Sequence, residues 1–188
     1  MCNMTFLNHK DYKYKEKDLV WNIKIENQVG EIYLKDSNFI FGSNADSTYV
    51  VISAANGAVL ETLNPFKIEK ERNCLIIDGS GESYSRYTLY NIPVDKRKYS
   101  KVTLKIVDRL YRGDTETSIL IINTLSGKEY TISFNRREFP FVADIFYFQD
   151  GKFLIKYNVQ AATIVNKYTV SIGLIDLEKI IKNYHLNP

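Results

Sequence analysis

Histidine and cysteine are scarce in this chain of 188 residues, which holds only His9, His185, Cys2 and Cys74. Both histidines lie near a chain end, where segments are often poorly ordered. Catalysis by a Ser–His or Cys–His pair requires a rigidly held imidazole. A zinc site requires about four closely spaced ligands, and the two cysteines lie far apart. We therefore predict no catalytic residue, no metal site and no cofactor.

Long apolar runs are also missing. No window approaches the roughly 18 apolar residues of a membrane-spanning helix, and residues 1–18 contain no apolar signal-peptide core. Two cysteines are too few for a disulfide framework, so we expect a cytoplasmic protein with Cys74 buried as a small core residue. An alternative remains open, because removal of an upstream signal peptide would make Cys2 the anchor of a lipoprotein.

Charge of one sign does not dominate, since 25 Lys and Arg residues face 22 Asp and Glu residues, for a formal net charge of +3. Such mild basicity does not demand a nucleic-acid partner, and we predict none. A hydrophobic content of 45% excludes a wholly disordered chain. The length suits one domain. We predict a polar N-terminal segment over residues 1–18 and one all-β domain over residues 19–188.

Short β-branched and aromatic segments, bounded by turn residues, recur along the chain. They predict strands at Gly30–Leu34, Asn38–Gly42, Thr48–Ser53, Asn73–Asp78, Tyr87–Ile92, Val102–Val107, Thr117–Asn123, Val142–Phe148, Lys152–Tyr157 and Lys167–Gly173. Polar loops are expected between successive strands. Helical spacing occurs only at the end of the chain, where Leu177, Ile180, Ile181 and Tyr184 share one face after an N-capping Asp176.

Four stretches of the chain share one order of features: a strand, a turn and a second strand or helix. They begin at residues 48, 87, 117 and 167. Residues 39–63, FIFGSNADSTYVVISAANGAVLETL, resemble a blade of the WD40-like and quinoprotein-like β-propellers. The resemblance implies a small propeller of about four blades, each near 47 residues. A β-sandwich or an open barrel is the alternative, in which similar hairpins recur through composition alone.

An additional strand at Val20–Ile25 (VWNIKI) has one apolar face formed by Trp21, Ile23 and Ile25. In a closed propeller an N-terminal strand often completes the last sheet. We therefore predict that this strand pairs with the strand around Lys167–Gly173, and that Trp21 is a buried staple.

Two loops of the predicted fold, residues 79–86 and 108–116, would emerge on the same face. They contain tyrosine and arginine, the residue types that dominate hot spots of protein binding. We predict a partner-binding site formed by Tyr84, Arg86, Tyr111, Arg112 and Glu116.

A basic segment is the alternative binding surface. Residues 95–112 hold seven Lys and Arg residues against two Asp residues. The alternative patch consists of Lys96, Arg97, Lys98 and Lys101. The same lysines also fit the solvated face of an outer strand, where positive charge discourages aggregation through sheet edges.

The first functional prediction is a non-catalytic protein-binding domain. By size and architecture, the chain resembles bacterial immunity or antitoxin-type inhibitors, which implies that its partner is another protein, such as a toxin. One alternative is a carbohydrate-active or hydrolytic enzyme that uses carboxylates in the propeller channel. Another is an exported lipoprotein binding domain tethered through Cys2.

Overall fold

A computed structural model describes residues 12–26, 28–43, 48–63, 77–78, 81–107, 117–162 and 167–187. These residues form fifteen β-strands and one α-helix, and the strands lie in three sheets. The prediction of an all-β fold with a short C-terminal helix is therefore confirmed. Cys2, His9 and Cys74 lie outside the described residues.

The largest sheet has six strands. They are β1 (Tyr12–Tyr14), β8 (Gly81–Ser83), β9 (Tyr87–Asn91), β10 (Tyr99–Val107), β11 (Ile119–Thr124) and β12 (Glu129–Phe134). Their order is β1-β12-β11-β10-β9-β8, and only the pair of β1 with β12 is parallel. Along β10, buried Val102, Leu104 and Ile106 alternate with more exposed lysines. This two-residue period gives the sheet one core face and one outer face.

The second sheet has five strands. They are β2 (Trp21–Glu26), β7 (Ile77–Asp78), β13 (Val142–Gln149), β14 (Lys152–Ala162) and β15 (Lys167–Asp176), in the order β2-β15-β14-β13-β7. Successive residues Phe153, Leu154 and Ile155 are all fully buried, which requires cover on both faces. Phe153 and Ile155 pack in a core with the six-stranded sheet, and Leu154 packs in a second core with the remaining sheet. The five-stranded sheet is therefore the middle layer.

The third sheet has four strands in chain order. They are β3 (Gln28–Lys35), β4 (Asn38–Ser43), β5 (Tyr49–Ser53) and β6 (Val59–Leu63). Asp36 and Ser37, with φ of 47° and 61°, make the two-residue turn between β3 and β4. Two positive φ values are typical of the hairpin turn whose twist matches that of the strands. Phe39, Phe41 and Ile52 project from this sheet onto the middle sheet.

The N-terminal strand β2 completes the middle sheet. It pairs antiparallel with β15, from Trp21 opposite Leu174 to Glu26 opposite Thr169, so the predicted pairing is confirmed. The Trp21 side chain is 7% exposed, and its Nε1–H donates to the carbonyl of Ala54 at 2.8 Å. Ala54 lies in the turn between β5 and β6. Trp21 is thus the predicted staple, and it fastens the four-stranded sheet to the middle sheet.

The described part of the predicted polar N-terminal segment packs onto the domain. Tyr14 in β1 is fully buried, and its ring lies 5.1 Å from that of Phe134. A short 3-10 helix, Glu16–Asp18, then leads into β2. Residues 12–26 therefore join the outer edge of the six-stranded sheet to the edge of the middle sheet.

The C-terminal helix α1 (Leu177–Asn183) begins as predicted. Asp176 is the N-cap, and its carboxylate accepts from the backbone N–H of Glu178 at 2.9 Å. Leu177 and Ile180 are buried in the core shared with the six-stranded sheet. The hydroxyl of Tyr184 donates to the carbonyl of Lys13 at 2.8 Å, so the helix end also holds the N-terminal segment.

The predicted four-blade ring is not confirmed, because the described strands form three sheets and no closed ring. β10 pairs with both β9 and β11, so the second and third repeat units merge into one sheet. Leu104 stands opposite Tyr90 on one side and Leu120 on the other. Continuous pairing satisfies both edges of β10, whereas separate blades would leave open strand edges at this point.

Two local predictions are wrong. Gly81–Ser83 is the strand β8, within the stretch predicted as a polar loop. The sequence also predicts successive strands at Asn73–Asp78 and Tyr87–Ile92 joined by a polar loop, but the described end of the first strand pairs with β13 in the middle sheet. Only Ile77–Asp78 of that predicted strand lies within the described residues.

Candidate functional site

The candidate site is the hairpin of β8 and β9, named here the Tyr84 hairpin (residues 81–91). The backbone N–H of Tyr84 donates to the carbonyl of Tyr87 at 2.8 Å, which closes a turn over Ser85 and Arg86. β9 pairs in turn with β10, so the hairpin is held by a strand of the sheet interior. The hairpin tip is therefore an exposed turn on a rigid support.

Three side chains stack at the hairpin tip. The rings of Tyr84 and Tyr87 lie 4.9 Å apart at 28° to each other, and the ammonium of Lys105 lies 4.4 Å from the Tyr87 ring centre. Lys105 and Tyr87 reach each other diagonally across β10 and β9, on the outer face of the sheet. Tyr87 therefore makes both a stacking contact with Tyr84 and a cation–π contact with Lys105, and both contacts are attractive.

Tyr84 is the exposed end of this stack. Its side chain is 48% exposed, which makes it one of the few large apolar side chains at the described surface. Its hydroxyl donates to the carboxylate of Glu82 at 3.0 Å, and this hydrogen bond together with the negative charge of Glu82 raises the pKa of Tyr84. Tyr84 therefore contacts both Tyr87 and Glu82 while about half of its surface remains exposed to solvent.

The five residues predicted for the partner site are only partly placed. Tyr84 and Arg86 both lie at the hairpin tip and are exposed. Tyr111, Arg112 and Glu116 lie outside the described residues. β10 ends at Val107, directly opposite Tyr87.

The alternative basic patch lies at the other end of β10. The guanidinium of Arg97 donates to both carboxylate oxygens of Asp95 at 3.0 Å, which lowers the pKa of Asp95 to about 2. Lys98 pairs with Glu178 of helix α1 at 2.8 Å, and Lys96 donates to the carbonyl of Ser100 at 3.3 Å.

These contacts reduce the charge that the patch offers to a partner, because two of its four cations face carboxylates. Lys101 is exposed on β10, toward the beginning of the strand. Six residues along β10 separate Lys101 from Val107, which stands opposite Tyr87 at the hairpin tip, a distance of about 20 Å at roughly 3.3 Å per residue. The two predicted surfaces are therefore distinct, and the ion pairs favour the solvated-face interpretation of the patch.

A hydrogen-bonded cluster that the sequence did not indicate joins the N-terminal segment, the loop after β12 and β14. The backbone N–H of Glu16 donates to the carboxylate of Glu138, 122 positions away. The carboxylate of Glu16 accepts from the hydroxyl of buried Tyr157 at 2.9 Å. Burial and the hydrogen bond to Glu16 raise the pKa of Tyr157. The cluster ties the N-terminal segment to β14, and only folding brings its members together.

The other described carboxylates that make hydrogen bonds or ion pairs stabilise turns, cap the helix or pair with lysine. Asp176 caps helix α1, Asp144 pairs with Lys156 at 3.8 Å, and Asp18 accepts from the hydroxyl of Tyr184 at 2.8 Å. Among the residues that the structure describes, no group of three or more His, Cys, Asp or Glu residues could hold a metal.

A small pocket lies where β10 ends and β11 begins. It is lined by Val107, Thr117, Ser118, Arg136, Phe139, Pro140 and Val142. Its interior holds about one water molecule, so the pocket is too small for a sugar or a nucleotide.

Comparison with protein-family models, with curated proteins and with solved structures finds no match to this chain. The described part of the chain contains no helix that is long and apolar enough to cross a bilayer. The site must therefore be interpreted from its own geometry.

Proposed function

We propose that this chain is a non-catalytic protein-binding domain and that its partner contacts the Tyr84 hairpin. The observation that carries the proposal is the half-exposed ring of Tyr84, held by Tyr87 and by Glu82 next to exposed Arg86. Hot spots at protein interfaces are enriched in tyrosine and arginine.

Preorganisation supports the same conclusion. An immobilised side chain ordinarily costs about 0.5–1.5 kcal/mol of binding free energy. Tyr84 is already ordered by its neighbours in the free protein, so less of that cost remains when a partner binds. A surface tyrosine without such neighbours would lack this advantage.

We further propose that the domain acts in the cytoplasm as an immunity-type inhibitor that neutralises a partner such as a toxin. The support is the combination of a small all-β scaffold with an exposed Tyr/Arg turn, which is an analogy of architecture. A propeller-like arrangement remains part of this proposal, because the pairing of β2 with β15 is the closure expected for such repeats.

The test is affinity purification from cells of the source organism, with the product of the neighbouring gene co-expressed. We expect one stoichiometric partner that the wild-type chain retains and the Tyr84→Ala, Arg86→Ala double variant loses. A Lys96→Ala, Lys101→Ala variant is the matched control, because it alters two exposed residues at the opposite end of β10. A partner retained equally by all three chains would contradict the proposed surface.

A further inference from the structure

The Tyr84 hairpin ends in an open strand edge. β8 is the last strand of the six-stranded sheet, and its three residues are all exposed. In an antiparallel hairpin, opposite residues alternate between hydrogen-bonded and non-hydrogen-bonded pairs. Tyr84 donates to Tyr87, so Glu82 and Leu89 form the next hydrogen-bonded pair, and Ser83 and Thr88 between them do not. The backbone N–H and C=O groups of Gly81 and Ser83 therefore point away from β9.

Within the part of the chain that the structure describes, this edge lacks the usual protection against strand addition. Sheet edges are commonly guarded by lysine, by proline or by cover from another element. The opposite edge of the sheet, β1, carries Lys13. β8 carries no lysine or proline, and its charged residue, Glu82, accepts a hydrogen bond from Tyr84. Among the described residues, no strand pairs with the outer side of β8.

Positive charge is concentrated on the same sheet. The described residues of the six-stranded sheet and its turns (12–14, 81–107 and 117–134) hold eight Lys and Arg residues and three Asp and Glu residues, a net charge of +5. All other described residues together hold eleven basic and twelve acidic residues, a net charge of −1. Four of these eight basic residues form the basic patch at the other end of β10. At the hairpin, Arg86 and Lys105 stand against Glu82, and this local net charge of +1 favours a negatively charged partner.

We propose that the partner binds as an extended acidic segment that adds a strand to the outer edge of β8. This inference rests on the proposed function and specifies the partner of the same site. The outward N–H and C=O groups of Gly81 and Ser83 pair with the backbone of the added strand. The guanidinium of Arg86 receives a carboxylate of the segment, and the open face of Tyr84 receives an apolar side chain. Main-chain pairing supplies affinity, and the side chains supply specificity.

The probe is a displayed library of random ten-residue peptides, selected on the full chain and then counter-selected on the Tyr84→Ala variant. We expect the retained peptides to be enriched in Asp and Glu. Binding should lower hydrogen exchange at the amides of Gly81 and Ser83. Arg86→Glu should weaken binding at least about tenfold and reduce its salt dependence.

Strand addition is tested separately by removing one outward donor. Ser83→Pro deletes an N–H that does not pair with β9, and proline is tolerated at such an edge position. We expect it to weaken peptide binding at least about tenfold. A peptide carrying N-methyl groups on alternate amides tests the reciprocal bonds, in which peptide N–H groups donate to the carbonyls of Gly81 and Ser83, with the protein unchanged. Of the two possible methylated peptides, the one whose methyl groups lie on the amides that face β8 should lose binding. The one whose methyl groups lie on the amides that face away from β8 should keep it.

The outcomes separate this inference from the proposed function. The inference of an acidic added strand is overturned if the retained peptides are not enriched in Asp and Glu. It is also overturned if their binding is insensitive to both Ser83→Pro and N-methylation. Either result leaves the Tyr84 hairpin as the binding surface. A library without any Tyr84-dependent peptide overturns both. The inference is also overturned if a single-stranded oligonucleotide of 20 nucleotides binds through Arg86 more tightly than any peptide. That result would mean that the positive charge of Arg86 serves to bind nucleic acid.

Discussion

The contact between Trp21 and Gly57 shows how one residue restricts another across two sheets. Gly57 has a φ of +71°, which non-glycine residues rarely adopt. A Cβ built at this position would lie 2.9 Å from the indole ring of Trp21. The turn after β5 can therefore receive the tryptophan only because residue 57 has no side chain.

We predict that Gly57→Ala lowers the free energy of unfolding by about 2–4 kcal/mol. The left-handed backbone contributes about 1–2 kcal/mol of that loss, and the clash with Trp21 contributes the rest. Chemical denaturation measures the change through the transition midpoint.

Gly127→Ala is the matched control for this prediction. Gly127 has a φ of +81°, but no heavy atom lies within 4 Å of a Cβ built there. It should therefore show the backbone cost alone. Equal losses for the two variants would mean that the Trp21 contact does not restrict residue 57.

At the scale of secondary-structure elements, the N-terminal strand β2 covers one edge of the middle sheet. Six consecutive residues of β2 pair with β15, and Trp21 and Ile25 are buried. Loss of the strand would expose both a sheet edge and the core between the middle and four-stranded sheets.

We predict that deletion of residues 1–26 abolishes cooperative unfolding. Truncation of a buried tryptophan alone costs about 3–5 kcal/mol, a large share of a total stability of about 5–15 kcal/mol. Thermal unfolding followed by circular dichroism tests this expectation. Deletion of residues 1–11, which removes none of the described strands, is the control. An unchanged melting temperature for the longer deletion would show that the pairing of β2 with β15 is not needed to close the middle sheet.

Local sequence signals predicted most strands and turns, because a two-residue period and glycine-marked turns act within a few residues. The turns at Gly57, Gly127 and Gly151 all have a positive φ, which is typical of their Asn-Gly, Ser-Gly and Asp-Gly sequences. The strand β8 was missed because its sequence, Gly-Glu-Ser, has little β-propensity, and pairing with β9 decides its conformation.

Sheet membership and the site geometry depend on contacts that the local sequence does not contain. The pairing of β7 with β13 joins residues nearly 70 positions apart. Tyr84 and Arg86 were predicted from residue type alone. Tyr87 and Lys105, which support Tyr84, were missed because their contact requires the register of β9 on β10.

At the scale of the whole molecule, buried tyrosines couple stability to alkaline pH. Burial raises the pKa of Tyr14, Tyr147, Tyr157 and Tyr184, and it raises the pKa of Tyr99 to about 12. The native state therefore retains these protons at pH values where the unfolded chain loses them. The stabilising effect is complete below the unfolded value of about 10 and is lost as the pH rises through the native values.

We predict that the free energy of unfolding falls steeply above about pH 10. Denaturation midpoints between pH 8 and 11.5, with phenolate absorbance, measure this fall. Tyr99→Phe provides the control, because the Tyr99 hydroxyl has no hydrogen-bond partner among the described residues. This variant should match the wild type at pH 7 and lose less stability above pH 10. A free energy of unfolding that stays constant up to pH 11.5 would contradict the raised pKa values of the buried tyrosines.

The Tyr84 hairpin is tested most directly by the dissociation rate of the purified partner complex. Tyr84→Ala should raise the dissociation rate about 30-fold, which corresponds to about 2 kcal/mol at a hot spot. The Lys96→Ala, Lys101→Ala control should change the dissociation rate less than about twofold and should alter stability by no more than about 0.5 kcal/mol per substitution. A dissociation rate that rises in the control and stays at the wild-type value in Tyr84→Ala would place the binding surface at the opposite end of β10.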